Sequence, residues 1–133
     1  MRILLDTHIL IWSLYDSSTL KAELNDLLED ELIEVCYSAV SLWETEIKHN
    51  KYPETFAFTA ADIHYDAQSA GYHCVELEPS HTFVLGSLSD EGNTGHKDPF
   101  DRMLIAQAKS ENMLFVTHDK RLLTYNEPCV KYY

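Results

Sequence analysis

Acidic residues stand at five places where a folded chain has reason to gather them. Asp6 closes RILLD, Glu44 sits inside SLWETEIK, Asp98 and Asp101 flank Pro99 and Phe100 in HKDPFDR, and Asp119 falls in VTHDK. Each has an ordinary structural explanation. Asp6 and Asp119 follow apolar runs and suit the N-cap of whatever comes next. Asp98 before Pro99 is a helix start, with Asp at the N-cap and Pro at the first helical position. Glu44 has a ready partner in Lys48, four residues on. These explanations do less for Glu44 and Asp101. Glu44 lies within the apolar stripe Val40, Trp43 and Ile47, where a charge is unusual. Asp101 heads the face that continues through Ile105 and Ala108, which packs inward. If three or four of these carboxylates share one cleft, they repel and some are forced neutral. A divalent cation removes that conflict, and oxygen-only ligands suit Mg2+ or Mn2+ rather than zinc. Such a site polarises a phosphate and activates water, which is the chemistry of phosphodiester hydrolysis.

The elements that must position these acids alternate. RILLD (2–6), IEVCY (33–37), YHCVEL (72–77) and MLFVT (113–117) read as strands, with CVKYY at the end as a weaker fifth. Helical patterns lie between them. THILIW follows Asp6. Ser18 or Thr19 caps a helix carrying Leu20, Leu24, Leu27 and Leu28, and Ser38 caps SAVSLWETEIKH. Thr59 caps a long helix ending near Gly71, Ser80 caps a short one, and PFDRMLIAQAKSE runs to about Asn112. SDEGNTG (89–95) is a polar loop. Alternation of this kind predicts an α/β domain with a mostly parallel sheet. Ligands in such folds sit beyond the carboxyl ends of the strands, near a switch in strand order. Asp6 and Asp119 are at such ends, and the helix starts at Ser38 and Asp98 come back toward the same edge.

A chain of 133 residues fits a single domain, 1–133. It has no apolar run long enough to span a membrane and no signal-peptide pattern, so a cytoplasmic protein is expected. Cys36, Cys74 and Cys129 are isolated and odd in number, which predicts small buried residues rather than disulfides or zinc ligands. The net charge of −12 lacks the basic stripe usual for nucleic-acid binding. Nucleic acid is a partner only if a bound cation or another subunit supplies positive potential.

LLDTHILIW, SLWETEIK, HKDPFDRMLIAQA and VTHDKRLLTY, in this order, resemble the PIN-domain family, and in particular the VapC-type toxins of bacterial toxin–antitoxin pairs. The segment 50–95 matches only in outline, and the SDEGNTG loop is longer than the family pattern. The resemblance implies a PIN-like three-layer α/β/α sandwich around a five-stranded sheet. It implies an Mg2+- or Mn2+-dependent endoribonuclease whose metal and catalytic residues are Asp6, Glu44, Asp101 and Asp119. Asp101 is chosen over Asp98 because it directly precedes RMLIA, where the family carries its third acid. Asp98 then remains a cap and outer-shell candidate. Thr117 matches the hydroxyl two residues before the last acid, and Thr7 beside Asp6 is placed to orient substrate or metal. The resemblance also implies a homodimer and a cognate antitoxin covering the groove.

Other residues carry weaker signals. His8 and His118 neighbour two of the acids and His96 opens HKDPFDR, but no zinc-type motif joins them, so they read as groove lining. Lys97, Arg102, Lys120 and Arg121 cluster around the acids and suit either RNA phosphates or local charge balance, Arg102 having Asp98 four residues before it. Trp12 and Trp43 are expected in the core. Two other readings stand beside the nuclease: a non-catalytic interaction module on the same fold, and an aspartyl phosphotransfer enzyme using Asp6. The second lacks a DxD motif.

Overall fold

The structure, a computed structural model, describes residues 1–89 and 98–133. Most of the SDEGNTG loop, together with His96 and Lys97, lies outside the described residues. The described strands are β1 (Arg2–Leu5), β2 (Glu34–Ser38), β3 (His73–Val75), β4 (Leu114–Thr117) and β5 (Val130–Tyr132). They form one sheet in the order β3-β2-β1-β4-β5, and every neighbouring pair is parallel. The helices are α1 (Thr7–Tyr15), α2 (Ala22–Glu29), α3 (Ala39–Lys51), α4 (Ala60–Ser69), α5 (Pro79–Val84) and α6 (Pro99–Ser110).

Alternation along the strands divides the core between the two faces of the sheet. Leu4, Cys36 and Phe115 point one way and pack with Leu104, Ile105 and Ala108 of α6. Ile3, Leu5, Val35, Tyr37 and Val116 point the other way, against Ile9 and Leu10 of α1, Leu24 of α2 and Ile63 of α4. Both faces are therefore covered, which explains why the strands read as continuous apolar runs. Helix α3 touches both α4 and α6 and so links the outer layers.

The chain moves outward from β1 to β2 and β3, then returns to lay β4 on the other side of β1. The switch in direction lies between β1 and β4, where a crevice opens at the carboxyl ends. Asp6 continues that pairing, its N–H donating to the Val116 carbonyl at 2.9 Å.

Two expected caps differ from those observed. Ser18 and Thr19 do not start a helix. Their hydroxyls donate to the Asp16 carboxylate at 2.8 and 2.7 Å, closing a 3₁₀ turn over Ser17–Thr19, and α2 begins only after Lys21. Likewise α5 starts after Glu78 rather than Ser80, because Pro79 fits the first helical position and His81 Nδ1 accepts the Glu78 N–H at 3.0 Å. Thr59 does cap α4. It forms a reciprocal box in which its hydroxyl accepts from Asp62 N at 3.1 Å and its own N–H donates to Asp62 Oδ2 at 3.0 Å. Thr59→Ala is therefore expected to lower the unfolding free energy by about 1 kcal/mol, read from urea unfolding curves.

Candidate active site

Asp6 leaves β1 as the N-cap of α1 and is only 7% exposed. One carboxylate oxygen accepts from Thr7 N at 2.8 Å and the other from the Thr117 hydroxyl at 2.6 Å. Thr117 ends β4, and its oxygen also accepts the Asp119 N–H at 3.0 Å. One hydroxyl thus fixes the first and last acids relative to each other. Burial pushes the Asp6 carboxyl above its ordinary range. The Thr117 and Thr7 hydrogen bonds oppose that rise, Glu44 adds to it and His8 opposes it.

Glu44 comes from α3, which Ser38 caps as expected by accepting Val40 N at 2.9 Å. Glu44 is buried for a different reason from the one the sequence suggested. Trp43 and Ile47 of the supposed apolar stripe are exposed, at 58% and 43%. The buried face of α3 is Val40, Ser41, Glu44 and Thr45. It is mostly polar because it meets Thr7, whose hydroxyl donates to Glu44 Oε1 at 2.7 Å and lies 2.9 Å from the Ser41 hydroxyl. The Lys48 ammonium binds Glu44 Oε2. The structural partner and the cleft position thus hold together rather than excluding each other. Thr7 serves Glu44 and Asp6 alike, through its hydroxyl and its N–H.

Asp98 is the N-cap of α6, its Oδ1 accepting Phe100 N at 2.9 Å and Asp101 N at 3.2 Å. That start turns Ile105 and Ala108 into the core and leaves Asp101, on the same face one turn earlier, at the cleft. Asp101 is raised as well. Its carboxyl is pushed up to about 8, first by burial and then by the charges of Asp6, Asp98, Glu44 and Asp119. Asp119 caps the 3₁₀ turn Lys120–Tyr125 and receives Arg121 in a two-pronged contact, Nε to Oδ1 at 3.0 Å and Nη2 to Oδ2 at 2.8 Å.

All five acids line one cleft of about 310 Å³, together with His8, Trp12, Lys48, His118 and Arg121. Trp12 is half-buried: it packs against the core and also lines the cleft. Its indole lies 5.7 Å from each of the His8 and His118 rings, centroid to centroid. Trp43, also expected inside, sits edge-on to Phe100 at the surface. Arg102 is not part of the cleft lining. Its guanidinium lies over the Tyr125 ring and 3.4 Å from the Tyr125 hydroxyl. Lys120 similarly faces the Tyr132 ring. Sequence reading did not assign Ser41 or Trp12 to the site, and the only signal for either was its closeness to an acid once the strands were paired.

Among the described residues no three carboxylate, imidazole or thiolate groups are drawn together at metal-ligating spacing. Lys48 and Arg121 hold Glu44 and Asp119, while Asp6 and Asp101 face each other's field. The donor set nonetheless fits a hard divalent cation: it is all oxygen, it is anionic, and its charges oppose ionisation of Asp101. Asp6, Glu44, Asp98, Asp101 and Asp119 all line the cleft and could contribute oxygens to one.

Residues 3–127 match the PIN domain. The chain belongs to the PIN domain family. Solved structures of the same fold include a chain of VapBC2 from Rickettsia felis bound to a DNA fragment from its promoter, with a TM-score of 0.68 at 16% identity, covering 100% of this chain and 98% of that one. DNA-bound VapBC from Salmonella typhimurium gives a TM-score of 0.65 at 17% identity, over 100% and 97% of the two chains. FitAcB from Neisseria gonorrhoeae gives 0.58 at 19% identity, over 98% and 96%. No curated protein sequence matches the chain. In this PIN domain the acids share one cleft beyond the carboxyl ends of β1 and β4.

Proposed function

We propose that this PIN domain is a metal-dependent endoribonuclease acting as the toxin of a toxin–antitoxin pair. The observation that carries the proposal is the convergence of Asp6, Glu44, Asp98, Asp101 and Asp119 on one cleft beyond the carboxyl ends of β1 and β4. Asp6, Glu44, Asp101 and Asp119 would hold Mg2+ or Mn2+, with Asp98 and Thr7 in the outer shell. The cation supplies Lewis acidity toward a phosphodiester and acidifies water. The chain's own residues do the rest. Thr117 keeps Asp6 and Asp119 aligned. Thr7 and Ser41 aim Glu44. Asp101, with its raised proton affinity, would have to be deprotonated to serve as a ligand. Among the described residues Lys48 and Arg121 are the cations lining the cleft and available to a phosphate, each already leaning on an acid.

Partnership with an antitoxin is proposed from the structural neighbours, which include a toxin–antitoxin complex and a member of the VapBC family of toxin–antitoxin systems; a homodimer and a cytoplasmic setting belong to the same proposal. Among the described residues no helix is long and apolar enough to cross a membrane. Purified protein is expected to cleave single-stranded RNA with Mg2+ or Mn2+ and to stop when chelator is added. Mn2+ at about 100 times its Kd should also stabilise the fold by about 2.7 kcal/mol. RNA cleavage unaffected by chelator sinks the metal mechanism. Absence of Mn2+ binding by calorimetry at millimolar concentrations supports the interaction module instead.

A further inference from the structure

Beside the acidic cleft lies a second cavity of about 290 Å³ between α1, the segment 55–58 and the start of α4. His8 and Trp12 belong to the walls of both. Its other walls are mostly carbon: Ile11, Phe56, Phe58 and Ile63. The His8 ring is 5.7 Å from Trp12 and 6.2 Å from Phe56, so aromatic surface runs unbroken from the acids into the cavity. Lys48 marks the boundary from the other side. Its ammonium holds Glu44 in the cleft and lies 5.3 Å from the centre of the Phe56 ring.

We propose that this cavity receives an unstacked nucleobase of the RNA strand whose phosphate lies at the acids. The inference rests on the ribonuclease reading and extends it to a base-binding subsite. The cavity is open to solvent, lined by aromatic rings and continuous with the cleft, which suits a flat ligand attached to the strand at the acids. A base is flat and apolar on its faces, and single-stranded RNA is commonly held by splaying bases onto aromatic side chains. Charge points the same way. The chain carries −12, so phosphate attraction contributes little overall, and stacking is the contact that does not depend on net charge. The hydroxyl of Thr45, a polar group in the wall, is spent on the Ser41 carbonyl at 2.7 Å. Thr55 and the His8 ring also stand in the wall, so stacking on the aromatic rings sets the affinity while base identity is left to these polar groups.

The chain has two tryptophans, so Trp43→Phe leaves Trp12 as the only indole. In that background, with all four acids intact and Ca2+ in place of Mg2+ to suppress cleavage, a short end-labelled oligoadenylate is titrated against its abasic counterpart. Binding is read by label anisotropy and base insertion by Trp12 fluorescence. The oligoadenylate is expected to quench Trp12 and to bind about 5- to 150-fold more tightly than the abasic strand. Phe56→Ala should erase most of that difference. The quench in the intact cavity is an independent readout should Phe56→Ala fold poorly. If both strands bind equally and Trp12 is silent, the base does not enter, and the cavity suits an apolar side chain of a protein partner instead. If neither strand binds, the ribonuclease reading fails and the subsite with it.

Discussion

Asp101→Asn is expected to abolish metal-dependent RNA cleavage and, at the same time, to stabilise the metal-free protein. The loss of activity should exceed about 100-fold, since changes one shell further out already cost about 10- to 100-fold. The gain in stability follows from the raised proton affinity of Asp101. Its folded pKa of about 8 lies above its value in the unfolded chain, so the folded protein keeps the proton longer. The associated stability is fully present below the unfolded pKa and is lost as the pH climbs from about 4 to about 8. Asparagine does not ionise, so the advantage of the variant grows across that interval and levels off above it. Thermal unfolding in chelator at about pH 5 and about pH 9 measures the growth directly. Mg2+ should narrow the gap at high pH by stabilising only the wild type. A variant that is dead but no more stable at high pH would refute crowding of the acids as the source of the effect.

Thr117→Val is expected to damage the site without removing any acid. The hydroxyl donates to Asp6 at 2.6 Å and accepts the Asp119 N–H at 3.0 Å. Valine keeps the shape and loses both bonds. Asp6, already raised by burial, loses the hydrogen bond that most opposes that rise and shifts further upward. Metal affinity or activity should fall about 10- to 100-fold. Stability should drop by about 1–3 kcal/mol, the cost of leaving a buried polar group unsatisfied. Thr117→Ser restores the hydroxyl and should recover most of the metal affinity. Calorimetric Mn2+ titration of both variants separates this role from simple packing, because serine lacks the methyl group yet keeps the bonds.

The helix starting at Asp98 shows how much of the site was legible in the sequence. Asp-Pro at its head and Ile105 and Ala108 along its face specify where it begins and how it is turned, which brings Asp101 to the cleft. Helix α3 shows the opposite. Its apolar residues Trp43 and Ile47 suggested one buried face and the fold buries another, because Thr7 and Lys48 offer Glu44 hydrogen bonds that no apolar neighbour provides. Periodicity detects hydrophobicity, and this burial is paid in hydrogen bonds. Trp12 divides between the two: it packs on the apolar core and its indole also meets the His8 and His118 rings at the cleft.

By itself the sequence determined the alternation of strands and helices, the caps at Asp6, Ser38, Thr59 and Asp98, and the order of the acidic motifs. These depend on local rules: side-chain period, capping chemistry and the fixed φ of proline. Only the tertiary structure decided that Arg121 clasps Asp119, that Arg102 turns to Tyr125, and that an aromatic cavity opens beside the acids. Such outcomes depend on which distant groups compete for the same partner in three dimensions. That competition is set by the β1/β4 crossover, which no local pattern encodes.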